Sequence, residues 1–447
     1  MVFSNNLLMG AAGQSTGYEI DQSIRFDKAT SSHLSNTYGS AGNRKTWTFS
    51  TWFKRGKIDG TRQSLFAAAG PAYLQVGPDA AAREMITILN EGSGTDLNWY
   101  TTQVFRDPGA WYHLVWQFDS TQADADNRTK LYINGAQVTE FTKVATPAQN
   151  FDGAVNNAVE HRLGELHIAN YYFDGYQAEI NFIDGTALTP TAFGEYNNDG
   201  VWVPIAYSGA YGDNGFFIDG RDSSDLGDDE SGNGNDFASS GLTAADQVLD
   251  TPTLNFNVIN GLDAIYSTTY LNNGALQYQW ASPDQRPIFS TIQAGSGKFY
   301  CEVKRISGNL GQSWGVAPFD FNGTSKTADY GQRNCGGVVY EQNGVTYING
   351  TSASYGSSFS TETIGIALNL DDGQVTFYVD NTSQGAVNLP SGWDNSGRVW
   401  SFVFGAAGDY YTGGFNFGQL GFEFTPPTGY KALNTANLAT PTIADGS

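Results

Sequence analysis

A chain of 447 residues with a formal net charge of −22 at pH 7 is too long for one compact core, and its field repels phosphate backbones and anionic lipid, which argues against nucleic-acid and membrane partners. Gly (54), Phe (28), Tyr (24) and Trp (10) are abundant while Met (3) and Cys (2) are scarce, a mixture that suits short strands joined by many turns and excludes a disulfide framework. Charged residues make up only 15% of the chain, so the imbalance is not that of a disordered acidic tail.

The opening "MVFSNNLLMGAAGQSTG" has no Lys or Arg and only a short apolar patch, so it does not read as a secretory signal. No window approaches the roughly 20 apolar residues of a membrane helix. The Asn-X-Ser/Thr triplets at Asn127, Asn322, Asn349 and Asn381 are then chance occurrences. The apolar "NNLLMGAAG" marks residues 1–20 as a docking segment. Next, "WTFSTWFKRG" alternates Trp47, Phe49, Thr51 and Phe53, and "WYHLVWQFD" places Leu114, Trp116 and Phe118 on one face. "TKLYINGAQV" returns with Leu131 and Ile133 and ends in Asn134-Gly135, a two-residue turn signal. "GYQAEINFIDGTAL" alternates Ala178, Ile180 and Phe182. Period-2 patterning with almost no 3.6-residue periodicity predicts a β-sandwich over residues 21–218.

From Asp219 to Asp250 the pattern changes to "DGRDSSDLGDDESGNGNDFASSGLTAADQVLD", which has few apolar residues to bury, and residues 219–261 read as a connector. A second sandwich is expected over 262–425. There "KFYCEVKRI" alternates Phe299, Cys301 and Val303 inward, and Cys335 lies in the turn "RNCGGV"; whether the two cysteines pair stays open. In "TIGIALNLDDGQVTFYVDN", Ile364, Ile366, Leu368 and Leu370 and then Val375, Phe377 and Val379 alternate on either side of Asp371-Asp372-Gly373, a hairpin with one core face. Residues 426–447 form a Pro-, Thr- and Asn-rich extended tail, and no heptads mark a coiled-coil shaft. The fold class is all-β, with two antiparallel β-sandwiches in tandem.

These stretches also carry a resemblance. "SIRFDKATSSHLSNTYGSAGNRKTWTFSTWFKRG", "WYHLVWQFD" with "KLYINGAQV", and "YFDGYQAEINFIDGTALTP" resemble a laminin G-like, concanavalin A-type jelly roll. "GKFYCEVKRI", "WGVAPF" and "IGIALNLDDGQVTFYVDN" resemble a SPRY domain, another curved β-sandwich. The join "YGDNGFFIDGRDSSDLGDDESGNGNDF" and the ending "FNFGQLGFEFTPPTGYKALNTANL" are similar to segments that link and close this domain pair in tailed-phage virion proteins, marine ones especially. The resemblance implies two jelly-roll sandwiches and a virion surface location. It also implies other virion proteins as partners, several copies per particle, and a host-surface glycan or receptor as the ligand.

Concanavalin A-type glycoside hydrolases set two Glu and an Asp on one strand, because cleavage needs paired carboxylates. The nearest match here, Glu179 to Asp184, has Asn181 in the middle and a shorter Asp at the end, so it reads as structural. His161 and His167, near Glu160 and Glu165, fit either a metal site or an alternating strand. Asp222, Asp225, Asp228 and Asp229, with Asp236, Asn233 and Asn235, offer the hard oxygens that Ca²⁺ prefers, and the laminin G-like resemblance, in which calcium sits at a sandwich rim, implies such a site. The spacing does not match an EF-hand loop, and Asx-turns, which explain the same residues without a metal, remain the leading reading. Aromatics in "LNWYTTQVF", "NYYFDG" and "FGAAGDYYTGGFNF" place Trp99, Tyr100, Tyr171, Tyr172, Tyr410 and Tyr411 in or beside loops as ligand contacts. No nucleophile elbow, Walker loop or Gly-x-Gly-x-x-Gly helix start occurs. The expectation is a non-enzymatic phage virion protein, tail fibre or tail-associated, binding host glycan through sandwich loops, with capsid or tail decoration as the alternative.

Overall fold

The computed structural model describes residues 17–438, apart from 93, 95, 167–170, 262–268, 281–286, 309–311, 320–334, 395–397 and 407–410. Among the described residues every regular element is a β-strand or a three-residue 3₁₀ turn. The chain divides into two compact units at Thr253 and Leu254.

In the first unit one sheet runs Ala136–Gln137, Thr129–Ile133, Trp111–Asp119, Thr46–Arg55, Gly175–Asp184, Ser23–Phe26, Gln247–Val248, with Phe216–Ile218 also paired to Gly175–Asp184. The other runs Phe141–Ala145, Leu97–Val104, Glu84–Asn90, Ala72–Pro78, Gln63–Ala68, Glu160–Leu163, His33–Thr37, Ala238–Ser240. Both are antiparallel, and their facing sides form one core. Trp47, Phe49, Trp116 and Phe182 of the first sheet meet Phe66, Leu74, Ile86 and Ile88 of the second. Phe49 stacks on Phe66 with ring centroids 4.5 Å apart.

The alternation predicted one buried face for the first sheet, whereas the structure buries both. Its outer side carries Trp52, Val115, Tyr132, Ala178 and Ile183, covered by Leu188, Phe193, Trp202, Tyr207 and Tyr211. Between the inward positions lie Thr48, Ser50, Trp52 and Val115, which a covering layer can bury, and Lys54 and His113, which are buried against polar partners. The acidic stretch read as a connector lies, as far as Thr253, inside this unit. Ala238–Ser240 pairs with His33–Thr37 and Gln247–Val248 with Ser23–Phe26. Asp246 bonds Arg25 at 2.9 Å, and Asp250 bonds Lys54 at 2.8 Å with both side chains fully buried.

In the second unit, Thr269–Asn272, Gln277–Trp280, Tyr411–Asn416, Lys298–Gly308, Thr363–Asn369, Gln374–Val379 and Thr382–Asn388 form one antiparallel sheet, to which Lys431–Ala432 adds a parallel pair. Ile288–Phe289, Trp400–Ala406, Gln312–Pro318, Val338–Glu341, Val345–Ile348 and Thr351–Ser354 form its partner. Tyr278 of one sheet stacks on Phe404 of the other at 4.1 Å and accepts a hydrogen bond from Trp314 Nε1 at 2.8 Å. The expected hairpin closes with Asn369 opposite Gln374 around residues 370–373. Gly373 takes φ 67°, and a Cβ there would lie 2.2 Å from the Trp393 ring. Thr363–Asn369 is buried on both sides, being a central strand. Cys301 and Cys335 are buried, free thiols.

Candidate functional site

The second sheet of the first unit presents a polar and aromatic outer side. Leu74 and Val76, Ile86 and Ile88, and Leu97 and Trp99 point into the core. Strand alternation therefore puts Tyr73 and Gln75, Thr87 and Leu89, and Asn98 and Tyr100 on the opposite side. The register aligns Ser64, Gln75, Thr87 and Tyr100 across four strands. Ser64 N–H donates to the Tyr171 carbonyl at 3.0 Å, which extends that row by one residue. Ala67, Tyr73, Leu89 and Asn98 form the row beside it.

Tyr73, Tyr100 and Tyr171 are each half-buried. Burial pushes the Tyr73 hydroxyl above the usual phenol range; Tyr100, Glu91 and Tyr171 add to the shift, and Arg62 opposes it. Tyr73 therefore stands between these groups, near each of them. Gln75 is only 1% exposed, and neither atom of its amide has a hydrogen-bond partner. The Asn98 Oδ1 is likewise buried and unpaired. A buried amide left unsatisfied costs about 1–3 kcal/mol, so this face carries a cost that its packing does not remove. At its flank Arg162 is held by Glu160 at 2.9 Å and by Glu165. Tyr172 sits beside His33, with ring centroids 6.2 Å apart.

Sequence reasoning found part of this face. Tyr100 and Tyr171 converge on it, and Tyr172 stands at its edge. Trp99 is a correction: it lies in Leu97–Val104 but is only 2% exposed, with its ring under Lys143 Nζ at 4.1 Å, and is not an accessible ligand contact. Strand parity sends it into the core and its neighbour Tyr100 outward. Tyr73 and Gln75 were missed, although the alternation in "AYLQVG" marks them as outward once Leu74 and Val76 are taken as core. Tyr411 opens the strand Tyr411–Asn416 of the second unit, and Tyr410 lies outside the described residues.

The aspartates do not converge. Asp222 accepts from Ser224 N at 2.8 Å and its Oγ at 2.7 Å, and Asp225 from Gly227 N at 3.3 Å. Asp229 accepts from the backbone of Phe217, Ser231 and Asn235 at 2.8–2.9 Å. Burial, then Asp236 and Asp225, raises the Asp228 carboxyl. Asp222, Asp225 and Asp229 close Asx-turns, with their oxygens facing backbone N–H groups. Among the described residues no three His, Cys, Asp or Glu side chains are placed to hold a metal ion.

The same holds for His161. His161 accepts from Asn156 N–H at 3.1 Å through Nε2 and donates from Nδ1 to the Val159 carbonyl at 2.9 Å, so no lone pair is left for a metal. His167 lies outside the described residues. Glu179 sits at a bulge with φ 50°, is 6% exposed and accepts from the Tyr18 hydroxyl at 2.9 Å. Asp184 belongs to another network, accepting from Asn43 N at 2.8 Å and Asn156 Nδ2 at 2.6 Å. Asn181 donates to the Glu179 carbonyl at 2.9 Å. The three positions of the degenerate catalytic pattern thus serve separate structural bonds.

Residues 27–193 match the concanavalin A-like lectin/glucanases superfamily. The match spans all nine residues of the two rows. Among solved structures, the chain is similar to the SPRY domain of human HERC1 at 14% identity and TM-score 0.25, covering 31% of this chain and 87% of that one. It is similar to a candidate carbohydrate-binding protein from Bacteroides ovatus ATCC 8483 at 14% identity and TM-score 0.31, covering 50% of this chain and 58% of that one. It is also similar to a heptameric SAP-like pentraxin from Limulus polyphemus at 13% identity and TM-score 0.30, covering 39% and 80%. No curated protein matches the chain. Among the described residues no helix is long and apolar enough to cross a membrane.

Proposed function

We propose that the protein is a non-catalytic recognition protein of a tailed-phage virion, tail-associated, that binds glycan on the host surface. The observation that carries the binding role is the outer face just described: Tyr73, Tyr100 and Tyr171 around the unpaired Gln75 amide, in a unit that matches a lectin-containing superfamily. Aromatic faces stack on the C–H faces of sugar rings, and an amide offers both a donor and an acceptor to sugar hydroxyls. The virion setting rests on the order of the two sandwiches and on the resemblance of the join and the ending to phage virion segments.

Tyr100→Ala should weaken glycan binding about tenfold, the loss of roughly 1.4 kcal/mol of stacking, in titration calorimetry against the best ligand of a glycan array. The melting temperature should hardly change, and prolonged incubation should release no reducing sugar. Unchanged affinity in both Tyr73→Ala and Tyr100→Ala would remove this face from the proposal. Gold-labelled antibody on purified particles tests the setting: label at the tail supports host contact. Label spread over the head favours the second reading, capsid or tail decoration. One observation supports that reading: the edge strands Thr351–Ser354 and Thr382–Asn388 carry no charge or proline and are largely exposed. Such edges offer open backbone to a neighbouring subunit.

A further inference from the structure

We infer that this face takes an extended, uncharged oligosaccharide laid across the strands, contacting the interior of the chain rather than a single terminal or acidic sugar. The inference rests on the glycan-binding reading of the same face. Its first support is length. The row Tyr171, Ser64, Gln75, Thr87, Tyr100 makes four interstrand steps, roughly 19 Å at the usual spacing between strands. An aromatic ring stands at each end and Tyr73 lies in the adjoining row, so no monosaccharide spans it.

The second support is charge. Ser, Gln, Thr and Tyr fill the row, and none is ionised at neutral pH. Arg162, the flanking cation, is already paired with Glu160 and Glu165. Arg62 and Glu91, both near Tyr73, carry opposite signs. The chain as a whole, at −22, repels acidic sugars.

The third support is Gln75. Its amide nitrogen and oxygen are both unpartnered at 1% exposure, midway along the row. A pyranose interior to a chain presents neighbouring hydroxyls that each donate and accept, which matches one amide. Gln75 lies beneath the larger side chains of its face, so a sugar seated between the tyrosines reaches it by moving them aside. The unmet amide then becomes a paired one. Gln75 is the specificity-determining residue of this arrangement, with Tyr100 and Tyr171 as the end platforms.

The test is titration calorimetry on the full chain with gluco-, malto- and chito-oligosaccharides from disaccharide to hexasaccharide, and with oligogalacturonates as charged counterparts. Affinity should rise about tenfold or more from disaccharide to hexasaccharide in a neutral series, and oligogalacturonates should bind more weakly. Gln75→Met should weaken the hexasaccharide about tenfold while melting no lower than the parent, because it removes an unsatisfied polar group. Tyr171→Ala provides the second variant: it should abolish the gain with length and leave disaccharide binding in place. Affinity that is flat with length, a preference for oligogalacturonates, or hexasaccharide binding unaltered in both variants overturns the inference while glycan binding stands. Failure of every saccharide, acidic ones included, overturns both.

Discussion

Asp250→Ala should lower the melting temperature of the first unit by on the order of 10 °C, the loss of about 3–5 kcal/mol. Lys54 and Asp250 are 196 residues apart in sequence, yet their charged ends meet at 2.8 Å with both side chains fully buried. Burial pulls the Lys54 ammonium below its usual range, and Asp250 holds it up. Asp250 also accepts from Trp111 Nε1 at 3.0 Å, and its carbonyl accepts from Ser23 Oγ at 2.6 Å. Removing the carboxylate leaves an ammonium with no access to water and frees the last stretch of the acidic segment from the sheet. Asp250→Asn keeps the neutral bond to Trp111 and should still lose most of the stability, since the missing charge is the larger part. Replacing both partners, as Lys54→Met with Asp250→Leu, should recover much of it, because a buried pair gains little over well-packed apolar groups. Thermal melting of the four proteins checks this. A shift under 2 °C for Asp250→Ala would mean that Lys54 finds another anion, for which Asp107, whose charge also acts on Lys54, is a candidate.

That pair also marks the limit of what the sequence discloses. Period-2 alternation located the strands carrying Trp47, Phe49, Trp116 and Phe182, and the turn residues at 134–135 and 371–373 located two hairpins, because these are local signals. Alternation does not tell which of two opposite sides is covered by a later segment, and so the buried outer side of the first sheet was not visible. Composition misled in the acidic stretch. Asp246 and Asp250 look like solvent-facing charges until Arg25 and Lys54, more than 190 positions earlier, are brought beside them. The site was half legible for a similar reason. Tyr100 and Tyr171 were picked out as aromatic, but their meeting with Tyr73 depends on the register of four strands and on one backbone bond at Ser64. Trp99 and Tyr100 differ only in parity, and parity separates a core residue from a surface one.

Glu179→Gln should stabilise the protein at pH 8 by about 3 kcal/mol and flatten its decline on the alkaline side. Burial, above all, raises the Glu179 carboxyl from 4.5 to about 7; the Tyr18 bond and Arg221 lower it, while Asp219 and Asp21 raise it. The folded state therefore keeps a proton between pH 4.5 and 7 that the unfolded chain has released. Stability from this group is full below pH 4.5 and is lost as pH rises through 7. Two buried histidines act in the opposite sense. His113 accepts from Trp202 Nε1 at 3.0 Å through Nδ1 and meets Ser50 Oγ at 2.9 Å through Nε2, so it is neutral with its proton on Nε2. Burial lowers it to about 3, and it lowers His161 to about 4. Their stability is full above pH 6.5 and falls by roughly 2 kcal/mol each by pH 5. Between pH 4.5 and 6.5 the two histidines outweigh the one glutamate, and above 6.5 the glutamate acts alone, which puts the maximum for these three groups near pH 6.5. In Glu179→Gln the amide oxygen still accepts from Tyr18, no proton is at stake, and stability should stay level from pH 6.5 to 8. Denaturant titrations of both proteins at pH 5, 6.5 and 8 measure this directly. A variant that tracks the parent at pH 8 would mean that the ionised carboxylate is already solvated at the bulge, and the alkaline decline would then have to come from another buried acid.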